Sequence, residues 1–70
     1  MVYRLTGRGE ARRAERREQI LKSARRLFVR QGYVDTTMLQ VAKGARTSIG
    51  NLYFYFANKE GLLRHCLSRQ

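Results

Sequence analysis

The stretch that decides the fold is TTMLQVAKGARTSIGNLYFYF, residues 36–56. Thr37 and Gln40 stand at the S/T-x-x-E/Q spacing of a capping box, which marks the start of a helix. Met38, Val41 and Ala42 supply that helix with an apolar face, and Gly44 closes it after about two turns. Ser48 can then cap again, opening a helix over IGNLYFYF. Two short helices joined so tightly, the second of them capped, are what a helix-turn-helix requires.

Upstream, Ile20, Leu21, Ala24, Leu27 and Phe28 recur at the spacings of an amphipathic stripe, with Arg and Lys on the opposite face. Gly32 follows Gln31 where a left-handed cap would close the helix, so helix 1 is expected over roughly residues 12–31. Met1–Gly9 holds two Gly, two Arg and no periodicity, and residues 1–10 therefore read as a flexible basic arm. Downstream, Asn58 can cap a fourth helix whose apolar positions Leu62, Leu63, Cys66 and Leu67 follow a helical period still running when the chain stops at Gln70. Residues 58–70 are expected to be only the start of that helix. There is no strand pattern, repeat or low-complexity segment. The expected fold is all-α: a three-helix helix-turn-helix domain over 11–57, plus the start of a fourth helix.

Composition narrows the function. The chain has 70 residues, 15 Lys+Arg against 5 Asp+Glu, a single Cys and a net charge of +10. Ten basic and three acidic residues fall in 1–31 (+7), five and two in 32–70 (+3), so the N-terminal part carries most of the excess. A surplus of this size points to a polyanionic partner, nucleic acid or an anionic membrane surface. One Cys rules out an internal disulfide framework, and no CxxC or Cys/His cluster is spaced for zinc, which fits a reducing, cytoplasmic setting. No apolar run reaches membrane-spanning length, and the first twenty residues lack a signal peptide's hydrophobic region. Catalysis finds no support: His65 and Cys66 are adjacent on a helix and point in different directions, and Asp35 is the only Asp. Cys66 reads as a small core residue. No cofactor and no metal site is implied.

The residues resemble the N-terminal DNA-binding domain of the TetR family of transcriptional repressors. The matching run is REQIL (Arg17–Leu21), Ala24, LF (Leu27, Phe28), GY (Gly32, Tyr33), TT (Thr36, Thr37), VA (Val41, Ala42), SIGNLYFYFANKE (Ser48–Glu60) and Leu62. It covers about residues 15–68, and a G-x-L-Y-x-Y-F-x-x-K-E string so placed after LF-x-x-x-GY is specific. The resemblance implies a homeodomain-like helical fold, double-stranded DNA as partner, a palindromic operator, repression, and a location on the bacterial nucleoid in the cytoplasm. It also implies that the fourth helix leads into a ligand-binding and dimerising domain absent from this chain, so the full regulator would be a homodimer, while the 70-residue chain is expected to be largely monomeric and without the inducer site. Two departures stand out. The family's A-G-V-S turn is Ala45-Arg46-Thr47-Ser48 here, so Arg46 would have to take the left-handed conformation at a cost of about 1 kcal/mol. The acidic residue common before the V/I-A pair is Gln40, which keeps the capping box without the charge.

A recognition helix places small or polar side chains at its N-terminal end and grips phosphates on either side. Thr47, Ser48, Ile49, Gly50 and Asn51 occupy that end. Gly50 costs about 1 kcal/mol inside a helix unless close approach of DNA repays it. Asn51 can pair with adenine, or stay solvated or meet a phosphate; Ile49 can cover a thymine methyl or pack within the domain. Four successive aromatics, Tyr53 to Phe56, cannot all face the core. The resemblance assigns the Tyr53 and Tyr55 hydroxyls to phosphates and packs Phe56 with Leu52 against Leu27 and Phe28; the alternative is that both tyrosines are core. Phe54 has no assignment. Thr37 and Lys59 begin helices 2 and 4, where the family holds phosphate; the alternatives are a plain cap and a solvated lysine. Arg46 can reach a guanine or phosphate, and Arg17, with Arg8, Arg12, Arg13 and Arg16, can add backbone contacts or a minor-groove arm, or simply form a solvated face. The rival from another class is a non-specific cationic module coating RNA or an anionic membrane.

Overall fold

Proline is absent from the chain and its first half is rich in Ala, Arg, Glu and Leu, good helix formers throughout. A computed structural model, which describes the backbone of residues 2–68 and the side chains of 9–67, gives four helices: α1 Val2–Gln31, α2 Met38–Gly44, α3 Ile49–Tyr55 and α4 Lys59–Ser68. No strand occurs among the described residues. The helix expected from residue 12 thus begins ten residues earlier, at Val2, and the backbone of the segment read as an arm continues it. Gly7 and Gly9 each cost about 1 kcal/mol in a helix. They do not stop one that is already nucleated downstream, because extension adds a hydrogen bond for each residue fixed. The side chain of Arg8 lies outside the described residues.

The end of α1 is set by Gly32, whose φ of 91° is left-handed and whose N–H donates to the Phe28 carbonyl at 2.9 Å. That is the single-bond cap for which glycine is favoured. The following loop is tied back on itself: Thr36, fully buried, donates its hydroxyl to the Gly32 carbonyl at 2.7 Å. The Gln31 amide then donates to the Asp35 carbonyl and to Gln40 Oε1, both at 2.8 Å. Gln40 belongs to the capping box of α2, in which Thr37 Oγ1 accepts from the Gln40 N–H and Gln40 Oε1 from the Thr37 N–H, each at 3.1 Å. One helix end is therefore bonded directly to the next helix start.

The core gathers Ile20, Leu21 and Ala24 of α1, Val41, Ala42 and Ala45 at the end of α2, Leu52 and Phe56 from α3, and Leu62 and Cys66 of α4. Leu27, Phe28, Met38 and Tyr55 pack around its edge, half-buried. On α4 the expected four-residue face is narrower in fact: Leu62 and Cys66, one turn apart, are buried, while Leu63 is half-buried and Leu67 is 61% exposed. The Cys66 S–H points at the Leu21 carbonyl, 3.8 Å away, and burial pushes this thiol up from its ordinary 9.0 against the opposing pull of Arg25. The sign follows from linkage: a raised acid favours the fold below the unfolded pKa and loses that contribution as pH rises past it. The stability difference between the wild-type chain and Cys66→Ala, followed by urea midpoints, is expected to hold steady through neutral pH and to narrow above pH 9.0.

Small residues let α1 and α2 approach closely. Ser23, buried, donates its hydroxyl to the Val41 carbonyl at 3.0 Å. Opposite it, a Cβ added at Gly44 would overlap Ser23 Oγ. Displacing that hydroxyl leaves a buried donor without its acceptor, a cost of about 1–3 kcal/mol. Gly44→Ala is expected to destabilise the domain by about 1–2 kcal/mol in spite of alanine's better helix propensity, and Ser23→Ala in the same chain to recover part of the loss, read as a non-additive double-mutant cycle in denaturant unfolding.

Candidate nucleic-acid interface

The turn between α2 and α3 is a Schellman motif. The Arg46 N–H donates to the Lys43 carbonyl at 3.1 Å and the Thr47 N–H to the Ala42 carbonyl at 3.0 Å, and Arg46 at the apex has φ 60°. Arg46 therefore takes the conformation that glycine takes in the family's usual turn, at a cost of about 1 kcal/mol. Ser48 follows as N-cap, its Oγ accepting from the Asn51 N–H at 3.0 Å.

This turn sets the rotation of α3. Leu52 is fully buried and Phe56 nearly so, which aims one side of the helix at the core as expected. The other side carries Ser48, Ile49, Gly50, Tyr53 and Phe54, all exposed. Tyr53 is half-open at 50% and Phe54 is 76% exposed, its ring edge-to-face with Tyr55 at 5.4 Å. The two tyrosines separate: Tyr53 is exposed, whereas Tyr55 packs at the core's edge and borders a surface cleft with Glu10, Arg13, Ala14 and Arg17. Asn51 is half-buried and donates its amide to Thr47 Oγ1 at 2.7 Å, so part of its hydrogen-bonding capacity braces the turn.

Around α3, Thr37 and Ser48 are exposed caps. Each oxygen accepts from its own helix, leaving the hydroxyl proton to donate outward. Arg46 is exposed and shares a cleft of about 280 Å³ with Arg16, Gln19, Lys22 and Arg26 of α1. The turn thereby joins the basic face of the long helix, a convergence of cations distant in sequence. Lys59 is placed differently from either sequence reading. Its ammonium donates to the Tyr33 carbonyl at 2.8 Å and lies 4.4 Å from the centre of the Tyr33 ring, so it clamps the loop after α1 to the start of α4. Tyr33, which also meets Phe28 ring to ring at 5.5 Å, was not singled out for this role, since a pairing of residues 33 and 59 has no local sequence signal. Nor was Ser23, whose place opposite Gly44 depends on how two helices cross.

Catalytic geometry is not formed by His65 and Cys66: the first lies edge-on to the Phe56 ring at 5.1 Å, the second faces the Leu21 carbonyl inside the core. Among the described residues no group of three or more His, Cys, Asp or Glu gathers as a metal site, and no helix is long and apolar enough to cross a membrane.

A capped helix-turn-helix whose second helix presents an open N-terminal face beside converging cations is the architecture of a DNA-binding regulator domain. Residues 20–66 match the family model of bacterial regulatory proteins, tetR family, and the chain belongs to that family, one of DNA-binding transcriptional regulators and not of enzymes. It is similar to the HTH-type transcriptional regulator HbdR of Aromatoleum sp. strain CIB, 49% identical over 49 residues, which are 70% of this chain and 21% of that regulator. It is also similar to the HTH-type transcriptional regulator QacR of Staphylococcus aureus, 38% identical over 52 residues, 74% of this chain and 28% of that one. The chain thus spans well under a third of the length of these relatives.

Replacing Arg46 by Gly removes the left-handed strain and should raise stability by about 0.5–1 kcal/mol, whereas Arg46→Ala keeps the strain and should leave stability nearly unchanged, as thermal unfolding will show.

Proposed function

We propose that this chain reads operator DNA for a repressor. The single observation that carries the proposal is the exposed face of α3, Ser48 to Phe54, held at a fixed rotation by buried Leu52 and Phe56. Ser48, Ile49 and Gly50 meet base edges in the major groove, and Thr47 supports them from the turn. Asn51, with one amide proton held by Thr47, offers its other proton and its Oδ1 to an adenine edge. Phosphates are gripped by Thr37 and Tyr53 on one flank and by Arg17 with Tyr55 on the other, while Arg46 adds charge beside the groove. Lys59 supports this grip by fastening the loop to α4, two of its ammonium protons going to the Tyr33 and Val34 carbonyls at 2.8 and 3.4 Å and the third left to donate to a phosphate. In the full regulator two such domains occupy a palindromic operator as a homodimer and repress by occlusion in the cytoplasm; an inducer pocket belongs to the part of the relatives this chain does not match. Alone, the 70-residue chain is largely monomeric and binds one half-site weakly, and a stable dimer in sedimentation at micromolar concentration would contradict that.

The coating alternative lacks comparable support, because the apolar stripe of α1 is already spent on the core. A footprint on genomic fragments separates the two. A discrete, two-fold symmetric protected site is expected; uniform coating, or equally strong binding to anionic vesicles, would overturn the proposal. Affinity should fall with salt at a log-log slope of about 0.9 per phosphate contacted.

Gly50 supplies a sharper check. A Cβ there meets nothing within 4 Å, so Gly50→Ala should stabilise the free domain by about 0.5–1 kcal/mol and yet weaken binding to the protected site. Equal or better binding by the variant would remove Gly50 from the interface.

A further inference from the structure

The cleft between α1 and the turn after α2 is walled by cations on both sides. One wall is a flank of α1, where Arg16, Gln19, Lys22 and Arg26 succeed one another about a turn apart; the other is the turn itself, with Arg46 at its apex. All four cations are exposed, and among the described residues no carboxylate lines the cleft. Glu15, next to Arg16 in sequence, lines a neighbouring hollow of α1. Two features of the cleft are unfavourable in the free domain. Lys22 and Arg26 stand at i and i+4, where like charges repel, and Arg46 holds a left-handed backbone at φ 60° that glycine takes without strain. Both bring positive charge to one concave place, and neither contributes to the core.

We infer that this cleft binds a short run of linked phosphates, either an inorganic oligophosphate or the phosphate tail of a nucleotide, at a site separate from the surface proposed to read DNA. The inference goes beyond the DNA-reading proposal and does not depend on it. Three of the four cations are arginines, whose guanidinium groups stay charged and match phosphate oxygens with paired hydrogen bonds. From Arg16 to Arg26 the cations spread along about 15 Å of helix, more than a single phosphate occupies and suited to a chain of them. A space of about 280 Å³ with cations on both walls admits a slim chain, whereas the backbone of a duplex is too broad to enter and meets only the rim. None of the lining residues belongs to α3, and Arg46 alone is common to this cleft and the DNA surface proposed above.

The test titrates the full 70-residue chain with sodium triphosphate at fixed ionic strength, followed by calorimetry and by amide shifts of the labelled chain. One saturable site is expected, with the largest shifts between Arg16 and Arg26 and from Gly44 to Arg46. An exposed charge pair is worth about two- to fivefold, so Lys22→Gln combined with Arg26→Gln should weaken triphosphate binding about tenfold while melting is unchanged and affinity for a duplex carrying the footprinted site stays within about threefold. Arg46→Gly, which keeps the turn, should weaken triphosphate binding about two- to fivefold in a domain at least as stable as wild type. ATP in place of triphosphate tells the two sources apart: shifts at the same residues support a nucleotide tail, and their absence supports a free chain. Shifts scattered over the basic residues without saturation, or hexaglutamate bound as tightly as triphosphate, would overturn the inference in favour of a general attraction for anions. A tenfold loss of duplex affinity in the Lys22 and Arg26 double variant would overturn it in favour of a further DNA contact. None of these results bears on whether α3 reads DNA.

Discussion

The approach of α2 to α1 at Ser23, Val41 and Gly44 is the constraint on which the rest of the domain depends. A small hydroxyl on α1 is bonded to a backbone carbonyl of α2, and a residue without a side chain stands opposite it. The two helices can therefore lie close enough for Val41, Ala42 and Ala45 to join Ile20, Leu21 and Ala24 in one core. That contact fixes where α2 ends, hence where the Schellman turn begins, hence the direction in which α3 leaves it. With so few buried residues, α3 cannot be placed by bulk burial alone, and the position of the turn decides which of its side chains face outward.

Local strain and local polar bonds then refine the placement. Arg46 accepts a left-handed backbone so that both final carbonyls of α2 are satisfied. In doing so it carries a guanidinium to the side of α1 where Arg16, Lys22 and Arg26 already lie. Part of the positive charge counted in the composition is thus gathered at the turn that leads into α3. Lys59 serves the opposite purpose, its charge turned inward to the Tyr33 carbonyl, where it ties α4 to the loop that follows α1.

The parts of this arrangement governed by near neighbours were legible in the sequence. The capping box of Thr37 and Gln40, the Ser48 cap and the Gly32 stop follow from spacings of a few residues, while the left-handed Arg46 and the inward pair Leu52 and Phe56 are what the family resemblance implied, and the structure has each of them. The Asn58 side chain likewise accepts from the Gly61 N–H at 2.8 Å at the start of α4. What required the assembled chain were pairings across long separations: Ser23 with Val41, Lys59 with Tyr33, Arg46 with the α1 cations. Glycine misled at the N-terminus, where Gly7 and Gly9 suggested an arm but the backbone is helical, because a propensity penalty of about 1 kcal/mol each does not outweigh continuation of a long helix. At Asn51 residue chemistry allowed several roles, and only the geometry brought out its bond to Thr47.

The central claim is that DNA is met chiefly by the open face of α3 and the caps beside it, with the buried side of α1 as scaffold. Titration of the isotopically labelled chain with a duplex carrying the footprinted site, followed by amide chemical shifts, tests this most directly. The largest shifts should fall on Thr37 and on Thr47 to Phe54, with the buried α1 amides around Ile20 to Ala24 little changed. Shifts concentrated along the outer side of α1, from Lys22 to Arg30, with α3 unmoved, would contradict it.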